Sequence, residues 1–272
     1  MKKSYQNIDH KRDNGDIWFN DLQRKRDNGP SLGTDRYQEY SESTKSVHAG
    51  QYDDPKTGAL GTPIFQCSTF YLTKASYEAI EEGRGRDEMI YSRYGNPSQW
   101  SVQEKLSSLE NAESSIVFSS GMAAISSAML TFLKKGDHVI VQQVIYGGTY
   151  NFIVSEFDKY GIYYSFTTSD KIEDFRPLIK KNTKVIYIET PSNPLLGITD
   201  MKAIGALAKE HQITTMIDNT FASPINQNPA EFGIDIILHS ATKYMGGHSD
   251  ILAGAVAASN EHIDKMWHIA KN

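Results

Sequence analysis

Cysteine is nearly absent from this sequence: Cys67 is the only one among 272 residues. No intrachain disulfide and no Cys-rich zinc site can be built from it, which fits a reducing compartment, with the cytoplasm as the default. Apolar runs long enough to cross a bilayer are also missing, and the N-terminal string Met1-Lys2-Lys3-Ser4-Tyr5-Gln6-Asn7 has positive charge with no apolar stretch behind it. A soluble protein with no membrane partner is expected. Excess positive charge is lacking too. The formal charge is -5, which gives no electrostatic reason to expect nucleic acid as a partner. Hydrophobic residues at 39% and charged residues at 22% are ordinary globular usage, and the length suffices to bury a sizeable core, so small-molecule chemistry is the better expectation.

Several chemical signatures are missing as well. There is no Gly-x-Gly-x-x-Gly fingerprint, no Gly-x-x-x-x-Gly-Lys loop and no Gly-x-Ser-x-Gly turn, and the eight histidines show no metal-ligand spacing on a helix. Nicotinamide, nucleotide, zinc and serine-hydrolase readings recede, and no metal is expected.

What is present falls into three stretches. Residues 1–45 are polar and carry Lys-Arg-Asp-Asn-Gly twice, at 11–15 and 25–29. This composition buries too little apolar surface to offset the entropy of ordering, so an extension without fixed structure is expected. Residues 46–97 are rich in turn residues, with one short helical pattern at 74–82, and read as an arm. From residue 98 onward strand and helix patterns alternate. Strands are expected at 116–118, 138–142, 163–167, 184–189, 214–218, 235–239 and 252–257, with helical patterns at 102–109, 122–133, 149–159 and 201–211. Residues 98–272 therefore read as a doubly wound α/β domain: a mostly parallel seven-stranded sheet with helices on both faces. Ligands of such sheets sit outside the C-terminal strand ends.

Polar residues collect at those ends. Ser119-Ser120-Gly121-Met122 opens directly into a helix, so it either cradles a phosphate with free N–H groups or merely caps the helix. Asp218 ends one strand, and Ser240-Ala241-Thr242-Lys243 follows another on the same rim. A carboxylate there suits a protonated pyridine nitrogen, a lysine amine suits a Schiff base, and the Ser240 and Thr242 hydroxyls suit a phosphate. Taken singly, Asp218 reads equally well as a helix cap and Lys243 as a solvated charge. Tyr146 follows a third strand and either lies over a flat cofactor or simply packs. Asn193, between Pro191 and Pro194, sits in an extended turn held by the prolines, which is either ordinary or aimed at a cofactor oxygen.

Five strings together are more specific: Tyr91-Ser92-Arg93-Tyr94-Gly95-Asn96-Pro97, the turn from Ser119 to Ala123, Glu189-Thr190-Pro191-Ser192-Asn193-Pro194, Ile217-Asp218-Asn219-Thr220-Phe221, and the stretch from Ser240 to Asp250 that contains Lys243. From about Thr44 to its end the sequence resembles the Cys/Met metabolism PLP-dependent family, which includes cystathionine γ-synthase, cystathionine γ- and β-lyases, methionine γ-lyase and O-acetylhomoserine sulfhydrylase. The resemblance implies the fold-type I pyridoxal 5'-phosphate (PLP) architecture and a homotetramer built as a dimer of dimers with shared active sites. It also implies Lys243 as the Schiff-base lysine, Asp218 as partner of the pyridine nitrogen and Tyr146 as the stacked tyrosine that assists proton transfer. Gly121, Met122, Ser240 and Thr242 match phosphate-binding positions, and Asn193 matches the residue near the cofactor's O3' oxygen. Tyr91 and Arg93 match residues that reach the neighbouring subunit's phosphate.

The implied activity is elimination or replacement at the γ- or β-carbon of a sulfur amino acid. Gly147-Gly148 lack the cysteine that many methionine γ-lyases carry in this turn, which favours a cystathionine-type lyase or synthase. Family members continue into a smaller C-terminal domain with a carboxylate-binding arginine, whereas this sequence stops at Asn272, about where the cofactor domain is expected to end. On that ground the substrate half-site is expected to be missing, and a truncated, catalytically silent PLP-binding subunit is the alternative.

Overall fold

The computed structural model describes residue 37, residues 39–52 and residues 57–272; both copies of the repeated pentapeptide lie outside the described residues. Among the described residues helix α1 (Glu42–His48) is the first full helix, with the Ser41 hydroxyl accepting from the Thr44 N–H at 3.4 Å. Lys45 is buried, and its Nζ donates to Asn111 Oδ1 at 2.9 Å. Helix α1 therefore includes Glu42 to Lys45, a stretch that composition alone assigns to the polar extension.

The following stretch is mostly irregular. Its helix α2 (Lys74–Glu81) is closed by a reciprocal capping box between Thr73 and Ser76. Phe70 N donates to Ile90 O and Ser92 N to Ser68 O, so the chain doubles back on itself before reaching helix α3 (Pro97–Leu109). Asn96 caps α3 and Pro97 occupies its first turn, where a missing N–H costs nothing. Leu60, Ile64 and Tyr71 in this stretch are 80% exposed or more.

The remaining chain builds one sheet with its flanking helices. In order these are β1 (Ser114–Phe118), α4 (Gly121–Phe132), β2 (His138–Val141), α5 (Gly147–Tyr160), β3 (Tyr163–Phe166) and α6 (Ile172–Phe175). There follow β4 (Thr183–Glu189), α7 (Met201–His211), β5 (Thr214–Asp218), α8 (Ser223–Asn226), β6 (Ile236–His239), β7 (Gly254–Ala258) and α9 (Asn260–Ala270). The seven expected strands are all present, each end within two residues. Their order is β1-β7-β6-β5-β4-β2-β3, with β7 antiparallel to both neighbours and the other pairings parallel.

Alternation along the strands gives each face its own core. Val139, Val141, Val185, Tyr187, Met216 and Leu238 pack on the side of α4, α5 and α9. Ile140, Ile186, Ile188, Ile217 and Ile237 pack on the side of α6 and α7. Burial on both faces explains why β2, β4 and β5 read as near-continuous apolar runs rather than alternating ones.

The reversed strand β7 has the largest consequence for the rim. Its register pairs Gly254 with Phe118 on one side and Ala255 with His239 on the other. The turns after β1 and β6 thus meet at the start of β7. Space there is tight: a Cβ on Gly254 would lie 2.0 Å from the Ser120 carbonyl oxygen. A Gly254→Ala substitution is therefore expected to lower stability in urea unfolding by about 1–3 kcal/mol. At Gly147 an added Cβ meets nothing within 4 Å, and Gly147→Ala is expected to shift stability by less than about 1 kcal/mol.

Candidate active site

The rim at the C-terminal strand ends is dominated by two acids. Glu189 closes β4 and Asp218 closes β5, and the two are register partners. Asp218 is 6% exposed, and its Oδ1 accepts the Thr220 N–H at 3.0 Å. Burial pushes this carboxyl above its ordinary range, while Thr220 and then His239 pull it back. A buried carboxylate held this way is poised for a cation. The Thr220 hydroxyl also accepts the Ser240 N–H at 2.8 Å, tying the Asp218 turn to the turn after β6.

Ser120 caps α4, its hydroxyl accepting from the Ala123 N–H at 3.1 Å. The N–H groups of Gly121 and Met122, in the first turn of α4, have no acceptor within the helix. Gly121 faces Ser240 so closely that a Cβ would lie 2.8 Å from Ser240 Cβ and 3.1 Å from its Oγ. Two free amides at a helix N-terminus beside a serine hydroxyl form a cradle for an anion. Met122 Sδ accepts the Thr149 hydroxyl at 3.9 Å, which fastens this helix start to that of α5.

Lys243 is exposed in a tight turn, its N–H donating to Ser240 O at 3.1 Å and its carbonyl accepting from Gly247 N at 2.8 Å. The Thr242 hydroxyl is engaged within the chain: it donates to Ala253 O and accepts from Ala253 N, each at 3.1 Å. Thr242 thereby fastens the Lys243 turn to the lead-in of β7. Tyr146, 45% exposed, caps α5 without a side-chain hydrogen bond. Its ring lies over Gly148, where a Cβ would come within 2.4 Å of Tyr146 Cε1. Asn193 starts a turn closed by Leu196 N to Ser192 O at 2.7 Å and Ser192 N to Gly197 O at 3.0 Å.

Arg93 lines a cavity with Ser119 and Ala123 beside the start of α4. The Arg93 guanidinium lies 5.5 Å from the Tyr91 ring centroid and 5.3 Å from that of Tyr94, and its Nη1 donates to Lys271 O at 2.6 Å. Among the described residues no hydrogen bond joins Tyr91 or Arg93 to Asp218, Ser240 or Lys243.

Motif reading passes over several residues that the fold brings in. Thr220 follows Asp218 closely in sequence but gains its structural role from Ser240, twenty residues away. Glu110, fully buried at the cap of α3, pairs through Oε1 with His239 Nε2 and accepts from Asn219 Nδ2 at 3.0 Å. Nothing local in sequence marks Glu110. Glu189 does carry a signal, being a charge at the end of the apolar run Val185-Ile186-Tyr187-Ile188.

An anion cradle, a buried carboxylate, an exposed amine and an aromatic ring on one rim of an α/β sheet define a pyridoxal-phosphate domain. The donor set fits the group: Gly121, Met122 and Ser240 for the phosphate, Asp218 for the ring nitrogen, Lys243 for the aldehyde carbon. The chain belongs to the Cys/Met metabolism PLP-dependent enzyme family, whose sequence profile matches residues 43–272. It is 40% identical over 230 residues to a cystathionine gamma-synthase of Mycobacterium leprae, covering 85% of this chain and 58% of the relative. Identity is 43% over 229 residues to the cystathionine beta-lyase MetC of Bacillus subtilis, covering 84% and 56%. A solved Campylobacter jejuni chain that carries N'-pyridoxyl-lysine-5'-monophosphate superposes with a TM-score of 0.77 at 30% identity, over 84% of this chain and 56% of that one. The architecture is fold-type I. The chain spans somewhat over half the length of these relatives.

The buried acids also set a pH response. Burial, and then the Asp218 charge, push Glu189 up to about 8. A carboxyl raised on folding contributes stability below its unfolded value that is lost as pH rises toward 8. His138 works the other way: burial, then Lys180, hold it down to about 4, so its contribution is lost as pH falls below about 6.5. Between pH of about 6.5 and 8 only the acid side of this balance changes. Urea unfolding of the cofactor-free chain is expected to show up to about 2 kcal/mol less stability at the upper end, and Glu189→Gln is expected to flatten that slope.

Proposed function

We propose that this chain holds PLP through Lys243 and forms the cofactor half of an enzyme that eliminates or replaces the γ- or β-substituent of a sulfur amino acid, of the cystathionine lyase or synthase type. The observation that carries the reading is that Asp218, the Gly121–Ser240 cradle and Lys243 share one rim of the sheet, with Thr220 tying the Asp218 turn to the Ser240 turn. When bound, PLP supplies an electron sink for the carbanion formed at the substrate's α-carbon.

The roles of the residues follow from their positions. Asp218 keeps the pyridine nitrogen protonated, since a buried carboxylate favours that proton strongly. Gly121, Met122 and Ser240 hold the phosphate end, with the cradle amides contributing fixed dipoles that need no reorganisation, while Thr242, expected at the phosphate from the sequence, has its hydroxyl bound to Ala253 and fastens the Lys243 turn instead. Lys243, on a turn tied at both ends, moves protons at the α- and β-carbons. Tyr146 covers one face of the ring and assists proton transfer, and Asn193 approaches the phenolic oxygen. Tyr91 and Arg93 serve the phosphate of a second copy, which makes residues 46–97 an arm and the assembly a homo-oligomer. The exposed Leu60, Ile64 and Tyr71 in that arm suit such a contact. A substrate of free amino-acid type follows from the family, and Cys67, exposed and unpaired, suits a cytoplasmic setting.

The test is an absorbance titration of the purified chain with PLP, before and after L-cystathionine, beside Lys243→Ala. A visible band that requires Lys243 and changes with the amino acid, with release of a keto acid, is the expected result. Asp218→Ala is expected to weaken PLP binding about tenfold or more. A band indifferent to the amino acid would reduce the reading to cofactor binding, and absence of any Lys243-dependent band would overturn it.

A further inference from the structure

Glu189 takes no part in the chemistry proposed above, yet its carboxylate touches two segments that do. Oε2 accepts the Tyr146 N–H at 2.8 Å and Oε1 accepts the Asn193 N–H at 2.7 Å. Those amides belong to different connections, one following β2 and the other β4, so no strand pairing fixes their separation. The anchor itself is rigid. Gln142, fully buried just after β2, donates from Nε2 to Glu189 O at 2.9 Å and accepts the Glu189 N–H at 3.1 Å through Oε1. Thr199 holds that same Oε1 with a hydroxyl at 3.0 Å. Glu189 is 3% exposed, so both of its bonds are shielded from water.

We propose that Glu189 is the positioning residue of this rim: one carboxylate that bridges the Tyr146 wall and the Asn193 wall and fixes both relative to Asp218. The inference rests on reading the rim as the PLP site. An acid is a costly choice for a mere backbone tie, because it stands in register with Asp218 and like charges in a buried site repel. Burial and Asp218 accordingly raise it to about 8. The charge becomes useful once a protonated ring nitrogen neutralises Asp218. Glu189 then ionises at lower pH, and both amide bonds become charge-assisted and shorter. Occupancy at Asp218 is thereby coupled to the order of the two walls that cover the ring.

Two measurements test this separately from the functional reading. In the cofactor-free chain, the amide proton shifts of Tyr146 and Asn193 are followed by NMR from pH 6 to 9.5. A single carboxylate requires that both move with one common midpoint, near 8; separate midpoints, or no movement in either, would overturn the bridge. PLP affinity is then measured for the chain and for Glu189→Gln, which keeps the shape but replaces one acceptor with a donor. Expected is a loss of about tenfold or more in affinity with the thermal midpoint of the cofactor-free variant at or above the parent's. Affinity within twofold of the parent would overturn the positioning role. Failure of the parent to bind PLP sinks the functional reading alone, and a variant that does not fold leaves the parent's amide titration to decide.

Discussion

The rim depends on one steric constraint, the passage of β7 between β1 and β6 in the opposite sense. Parallel neighbours would carry their C-terminal turns to the same edge but leave them a strand apart. Reversal of β7 places its first residues at that edge, where Gly254 can approach the Ser120 carbonyl and Ala253 can pair with Thr242. The helix start at Gly121 and the Ser240–Lys243 turn are drawn together as a result. Glycine at 254 follows directly, since any side chain there would separate the two turns that make the anion cradle.

Electrostatics adds a second constraint. Placing Asp218 and Glu189 side by side at the ends of two apolar strands opposes stability, because burial and mutual repulsion both disfavour their charges. The surroundings offset this only in part, through the Thr220, Tyr146 and Asn193 donors. Tyr187, wholly buried on β4, meets the same field: its hydroxyl is pushed well up by burial, and then by Asp218 and Glu189. A site built this way is under-compensated in cation until a ligand supplies one, which matches a cofactor with a protonated ring nitrogen.

Much of this was legible in the residues themselves. Strand positions in the middle of the sheet followed from short apolar runs, because β2, β4, β5 and β6 are buried on both faces and tolerate few polar interruptions. Asp218 was legible because a charge at the end of such a run lands on the rim, and Lys243 because it sits in the short polar turn that follows β6. Contacts that depend on register were not. Glu189 reaches Tyr146 across forty-three residues, and Glu110 reaches His239 across one hundred and twenty-nine. Helix α9 does carry Ile263, Met266 and Trp267 at helical spacing behind the Ser259 cap, a pattern as readable as that of α7. Helix α1 is less readable, because Lys45 and Asn111 form a polar contact that hydropathy counts against burial.

The polar chain behind Asp218 bears on how that carboxylate keeps its charge. His239 ends β6 beside it and lowers its tendency to hold a proton. The imidazole is paired on its far side with Glu110, whose Oε1 is held by Asn219, and Gln227 locks Asn219 in turn with Nε2 to Oδ1 at 2.8 Å. Glu110 Oε2 is buried without a partner among the described residues. The polar chain Gln227, Asn219, Glu110 and His239 thus reaches from the flanking segments to the end of β6, and its last member favours the ionised Asp218 carboxylate that a protonated ring nitrogen needs.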